Sequence, residues 1–255
     1  MPNSLKLNFL KRILTDSAND EKTREKFFEN GEYPSKDEME KVILSPIDKI
    51  RETGFDWPER AHTMIGMIRL NNLHKCLDEI RENKIDGDII ETGVWRGGAC
   101  IFMKKYLDLY EMNKKVFVAD SFAGLPKPEH PEDEGDHHHG IDILRVSLEE
   151  VKKNFSIYRA LDENVVFLKG WFSDTLPNNK EIEKLCILRM DGDMYKSTID
   201  VYEACWEKLV KRGFAIVDDW CLKGAQKATV DFRNRKKIKD PIITIDGCGV
   251  FWQKS

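Results

Sequence analysis

No uninterrupted apolar run in the 255 residues approaches the ~20 needed to cross a bilayer. The N-terminus, MPNSLKLNFLKRIL, lacks a signal peptide's apolar core and cleavage pattern. A cytoplasmic address and no membrane partner are therefore expected. Positive charge is not in excess: 41 Lys and Arg stand against 45 Asp and Glu, for a net charge of −4. That sets nucleic acid aside as a default partner. No CxxC pair occurs among Cys76, Cys100, Cys186, Cys205, Cys221 and Cys248. They fall singly in apolar segments, which predicts buried, reduced thiols rather than disulfides or zinc ligands. Internal repeats and low-complexity tracts are also missing, as are the GxGxxG turn of dinucleotide sites and the P-loop GxxxxGK[ST].

What is present suits one large domain with an arm. Residues 1–60 are charge-rich with weak helical periodicity and read as a helical N-terminal extension. Apolar residues at 64, 65, 68, 73, 77 and 80 predict a packed amphipathic helix. From Gly87 the pattern alternates. GDIIETG, KVFVADSF, NVVFLKGWF, CILRMDGD and GFAIVDDW read as strands, and GGACIFMKKYLDLY, VSLEEVKKNFSIY, STIDVYEACWEKLV and KGAQKATVDFRNRKK as the helices between and after them. PIITIDGCGVFWQK reads as a closing hairpin turning at Asp246-Gly247. The expected fold is α/β, a doubly wound, mostly parallel sheet with an antiparallel C-terminal strand, occupying 61–255. Ligands in such sheets bind at the carboxyl ends of the strands.

Those ends carry the chemistry. Glu91 closes the first strand, and Gly93, Gly97 and Gly98 lead into the next helix. Asp120 closes the second strand, placed to accept hydrogen bonds from a ribose. The pair points to an adenosine-containing cofactor without choosing between NAD and S-adenosylmethionine. Glu91 favours the latter, because a carboxylate there would repel a pyrophosphate but suit a cationic amino-acid tail. Strands four and five end in Asp191, Asp193, Asp218 and Asp219. Neighbouring strand tips lie about 5 Å apart, so Asp191, Asp218 and Asp219 crowd together. Either some hold protons or a cation binds them, and all-oxygen ligation suits Mg²⁺ or another hard divalent ion. The bland alternative is helix capping, Asp193 being the obvious N-cap for the helix that follows it.

ETGVWRGGA, ADSFAGLP, GWFSDTLP, RMDGDMY and VDDW, in this order, resemble the macrocin O-methyltransferase family from about Arg60 onward. The resemblance implies a class I, Rossmann-like, S-adenosylmethionine- and metal-dependent enzyme that methylates sugar hydroxyls of natural products. It implies Glu91 and Gly93 by the methionine tail, Asp120 and Ser121 by the ribose, and Gly170, Trp171 and Phe172 near the adenine. Thr63 and Met64, from HTMIG, join the cofactor side. Asp191, Asp218 and Asp219 are the implied metal ligands and Asp193 the implied general base. The partner is then a small hydroxylated acceptor, a glycosylated natural product, with homo-oligomerisation left open. The loop HPEDEGDHHHGID reads as a mobile acceptor-side lid, since three adjacent histidines rarely converge on one metal. Trp95, Trp171 and Trp220 flank the motifs as stacking candidates or core. Rival readings are a catechol-type or polyketide or peptide hydroxyl methyltransferase, an NAD-dependent oxidoreductase, which the missing GxGxxG opposes, and a non-catalytic nucleotide- or glycan-binding domain, which the four acids oppose.

Overall fold

Residues 1–255 are described by a computed structural model. Four helices come first: α1 (Asn3–Leu14), α2 (Glu21–Asn30), α3 (Lys36–Leu44) and α4 (Lys49–Thr53). Then follow α5 (Met67–Glu82), β1 (Asp88–Thr92), α6 (Gly98–Leu109), β2 (Val116–Asp120), α7 (Leu148–Ile157), β3 (Val165–Lys169), α8 (Phe172–Thr175), β4 (Leu185–Met190), α9 (Tyr195–Cys205), β5 (Leu209–Val217), α10 (Lys223–Lys236), β6 (Ile243–Thr244) and β7 (Val250–Gln253). The seven strands form one sheet in the order β3-β2-β1-β4-β5-β7-β6. The first five are parallel, and β7 runs antiparallel to both β5 and β6.

Successive strand residues face opposite sides, and both sides are covered. Ile89, Val116, Val118, Ile187, Phe214 and Ile216 pack under α1, α5, α6 and α7. Ile90, Phe117, Ala119, Leu188, Ala215 and Val217 pack under α9 and α10. The N-terminal helices share the first of these cores: Leu7, Phe9, Leu10, Ile13 and Leu14 of α1 are fully buried in it. Their ends are locally encoded. Asp20 accepts from the Thr23 N–H at the start of α2, and Ser35 with Glu38 forms a capping box on α3.

Two expectations change. The helix expected over 197–210 stops at Cys205, a short 3₁₀ turn spans Trp206–Lys208, and Leu209 already pairs with Leu185. Extra β5 residues are absorbed by a register shift near Arg212, whose φ is +67°. The thiols also divide. Cys76, Cys100, Cys186 and Cys205 are buried and free, but Cys221 and Cys248 are joined, with Cα atoms 4.5 Å apart. Antiparallel pairing explains it: Cys221 lies just past the end of β5 and Cys248 just before β7, so the ladder brings 27-residue neighbours together.

Chain order reverses between β1 and β4. From β1 the sheet grows outward through β2 and β3, and from β4 it grows the other way. The crevice therefore opens at the carboxyl ends of β1 and β4.

Candidate active site

A cavity of about 780 Å³ occupies that crevice. Met64, Gly93, Asp120, Ser121, Gly170, Trp171 and Phe172 line it on one side, and Asp191, Asp193, Asp218 and Asp219 on the other. Nine of the expected cofactor residues thus become seven on the wall. Thr63 is buried beneath the start of α6, where a Cβ on Gly98 would touch its side chain. Glu91 lies behind the wall, 2 % exposed. The aromatic candidates divide too: Trp95 and Trp171 face the cavity, whereas Trp220 packs beside the α9–α10 core.

Backbone geometry builds the cradle. Gly93 has φ +86° and follows β1 directly, and a Cβ there would overlap the Asp191 carbonyl oxygen. The Asp120 carboxylate accepts from the Val94 N–H at 2.8 Å and the Phe122 N–H at 2.7 Å, so it ties the β1 loop to the end of β2. Burial raises its pKa, and these backbone donors oppose the rise. Ser121 Oγ donates to the Gly124 carbonyl at 2.6 Å and accepts from Ala123 N–H, shaping the turn below it.

The acids converge as their strand ends require. One oxygen each from Asp191, Asp218 and Asp219 lies within 4.8 Å of the others. Asp218 and Asp219 are 4 % and 8 % exposed. Burial first, then Asp193, Asp191 and Asp218, hold Asp219 well above the carboxylate range. Burial and then Asp218 push Asp191 up to about 6 against the pull of Arg189. The three offer an all-oxygen donor set, which fits a hard divalent cation.

Two arginines run through the cluster. Arg189 donates to Glu91, to Asp191 at 2.7 Å and to Asp218. Arg69, reaching over from α5, pairs with Asp218 and, at 3.1 Å, with Asp246. Sheet parity accounts for it: Glu91 stands opposite Arg189, which stands opposite Ile216. Glu91, Arg189, Asp191 and Asp218 thus share the face covered by α5. Arg189 was visible inside RMDGD, but only the strand order reveals its partners.

Asp193 is not the helix cap. Met194 occupies that position without a side-chain bond, and the Tyr195 N–H is instead capped by Asp133 of the β2–α7 loop, at 3.0 and 3.2 Å. Freed from capping, Asp193 holds φ +59° and lines the cavity, with its N–H donating to Asp219 at 2.9 Å. Burial and then Asp191 push it up to about 7, while His138 pulls the other way. Asp193 is thus a fourth carboxylate standing beside the three clustered ones on the cavity wall.

Of the three adjacent histidines in the β2–α7 loop only His138 reaches the cavity, its Nδ1 held 2.9 Å from Asp136. The Trp57 ring meets it edge-to-face with centroids 6.4 Å apart, and Phe55 and Trp57 complete that rim. These two aromatics carried no sequence signal, since their neighbours are ordinary loop residues.

A family model for macrocin O-methyltransferases (TylF) matches residues 3–254, taking in the N-terminal helices that the motifs alone did not reach. The chain is 46 % identical over 217 residues to a mycinamicin III 3''-O-methyltransferase of Micromonospora griseorubida, covering 82 % of this chain and 85 % of that one. It is 40 % identical over 260 residues to an 8-demethyl-8-(2,3-dimethoxy-alpha-L-rhamnosyl)-tetracenomycin-C 4'-O-methyltransferase of Streptomyces olivaceus, covering 98 % and 92 %. The solved structure of the O-methyltransferase NovP superposes with a TM-score of 0.85 at 38 % identity, over 100 % of both chains. With the crevice, the Asp120 carboxylate at the end of β2 and the acidic ends of β4 and β5 in place, these matches establish that the chain belongs to the macrocin O-methyltransferase family and is an S-adenosylmethionine-dependent O-methyltransferase.

Proposed function

We propose that the enzyme methylates one hydroxyl of a vicinal diol on a sugar attached to a natural product. A divalent cation held by Asp191, Asp218 and Asp219 and a proton acceptor at Asp193 complete the reading. The observation that carries it is the convergence of those three carboxylates beside a fourth, Asp193, in the same cavity. The relatives' names support the acceptor class, since one acts on a rhamnosyl tetracenomycin.

Each part of the chain has a task. Asp120, Ser121 and the Gly170–Phe172 turn bind the nucleoside of the methyl donor, and Gly93 lets β1 and β4 close around it. A bound divalent ion supplies Lewis-acid help by lowering the pKa of a neighbouring hydroxyl. Asp191, Asp218 and Asp219 would hold such an ion and would leave room on it for acceptor oxygens. Asp193 accepts the hydroxyl proton as the oxygen–methyl bond forms and the sulfur–methyl bond breaks. The sulfonium is a good leaving group, so the remaining work is alignment and charge.

The test incubates the purified protein with S-adenosylmethionine and a panel of glycosides carrying unmethylated deoxysugars, with and without chelator. One added methyl on a sugar, abolished by chelation and restored by Mg²⁺ while S-adenosylhomocysteine still binds, is expected. Full turnover after exhaustive chelation would remove the metal. Methylation of simple catechols but of no sugar would replace the acceptor class.

A further inference from the structure

Glu91 is the penultimate residue of β1, where the methyl donor's amino-acid tail is expected, yet its carboxylate is committed elsewhere. It is 2 % exposed, and it is absent from the cavity wall that Gly93 lines. Both oxygens are taken: Oε1 accepts from Arg189, and Oε2 accepts from the Cys100 thiol at 2.7 Å. An ammonium would have to enter a buried pocket and displace the Cys100 thiol or the Arg189 guanidinium from that carboxylate, which is costly. Arg189 spends its other contacts on Asp191 and Asp218, two of the three clustered carboxylates. One buried guanidinium thus links Glu91 to the acidic cluster, along a single face of the sheet.

We propose that Glu91 is a positioning residue for the metal carboxylates rather than a partner of the methyl donor's amino-acid tail. It balances the Arg189 guanidinium from behind, so that Arg189 orients Asp191 and Asp218 without cancelling the charge a cation needs. Remove the Glu91 charge, and the guanidinium's full positive charge bears on Asp191 and Asp218 and opposes an incoming ion. This rests on the reading above that Asp191, Asp218 and Asp219 hold a divalent cation.

The probes are Mn²⁺, followed by the paramagnetic resonance signal of the free ion, and S-adenosylhomocysteine, followed by calorimetry, both at about pH 8. Glu91→Gln keeps the shape and removes the charge. Mn²⁺ affinity should fall about tenfold, the effect of one uncompensated charge a few ångströms away in a buried site. S-adenosylhomocysteine affinity should change by less than about twofold, because no contact to it is lost. Loss of S-adenosylhomocysteine affinity with Mn²⁺ unchanged would overturn the assignment, as would no change in either. Equal losses of both, in a variant with the native circular dichroism spectrum, would overturn it too. A second measurement needs no variant. In the unmodified protein, Mn²⁺ should bind equally well beside S-adenosylhomocysteine and beside 5′-methylthioadenosine, which lacks the tail. A difference above about threefold, a coupling well outside independence, would place the tail on the Glu91–Arg189 pair and overturn the assignment. Unmodified protein that binds neither Mn²⁺ nor S-adenosylhomocysteine would instead refute the metal and cofactor reading itself.

Discussion

Gly93→Ala tests whether the crevice depends on the close approach of β1 to β4. Gly93 has φ +86°, and a Cβ built there would overlap the backbone carbonyl oxygen of Asp191. Two costs add. An L-residue in the left-handed region costs roughly 1–2 kcal/mol, and forcing extra volume into a closed contact costs roughly 1–3 kcal/mol. The neighbour is backbone, so no rotamer change can relieve it. The tips are also tied, since Gly93 N–H donates to Ala119 O and Asp191 N–H to Thr92 O, both at 2.9 Å. A total near 3 kcal/mol lowers Tm by about 6–12 °C for a chain of this size. Because the displaced atom belongs to Asp191, divalent-ion affinity should fall together with Tm. Differential scanning fluorimetry with and without Mg²⁺ measures both. Gly140→Ala is the control, since Gly140 has no neighbour within 4 Å and no positive φ. A Gly93→Ala melting point within about 2 °C of the parent, with the Mg²⁺ shift intact, would refute the close-approach reasoning.

Asp193→Asn should keep S-adenosylhomocysteine and Mg²⁺ binding while turnover drops about 10²–10⁴-fold, the worth of a general base. Single-turnover rates decide, and a loss below about tenfold would reduce Asp193 to scaffolding. Asp120→Ala should weaken S-adenosylhomocysteine by about 1.5–3 kcal/mol in calorimetry, the range for hydrogen bonds to a charged group. Unchanged affinity would take Asp120 off the ribose. Asp191 and Asp193 have folded-state pKa values raised to about 6 and about 7. Groups so raised stabilise the metal-free fold below their unfolded pKa, and that contribution is lost as pH climbs through about 6 to 7. Mg²⁺ relieves the repulsion of the ionised acids but must displace protons at lower pH. Its stabilising shift in Tm should therefore be larger at about pH 8 than at about pH 5, and equal shifts would mean that the ion binds elsewhere.

Much of this site was legible because it lies at strand ends. Apolar runs closing in Glu91, Asp120, Asp191 and Asp218 announce both strand and crevice, and the alternation with helices gives the sheet. The parts that were not legible come from residues distant in the chain. Arg69 reaches Asp218 across 149 positions, and Asp133 caps α9 across 62. Helix capping was the bland alternative for Asp193, and what sets it aside, Asp133 of the β2–α7 loop on the Tyr195 N–H, could not be read locally. Cys221 and Cys248 looked like solitary core thiols until antiparallel pairing joined them. Glu91 was found by motif, but its partners needed the register of β1 against β4.

The way Asp133 docks has a consequence for exchanging the β2–α7 loop, read from the sequence as a lid, among relatives. The lid's foothold is not confined to the lid. Asp133 caps Tyr195, and it fits only because Gly224, at the start of α10, leaves room; a Cβ there would collide with its carboxylate. A transplanted lid would arrive without its socket if the host carried any larger residue at that position. The smallest exchangeable unit is therefore the lid together with the first turn of α10, two stretches some ninety residues apart that must be inherited as one.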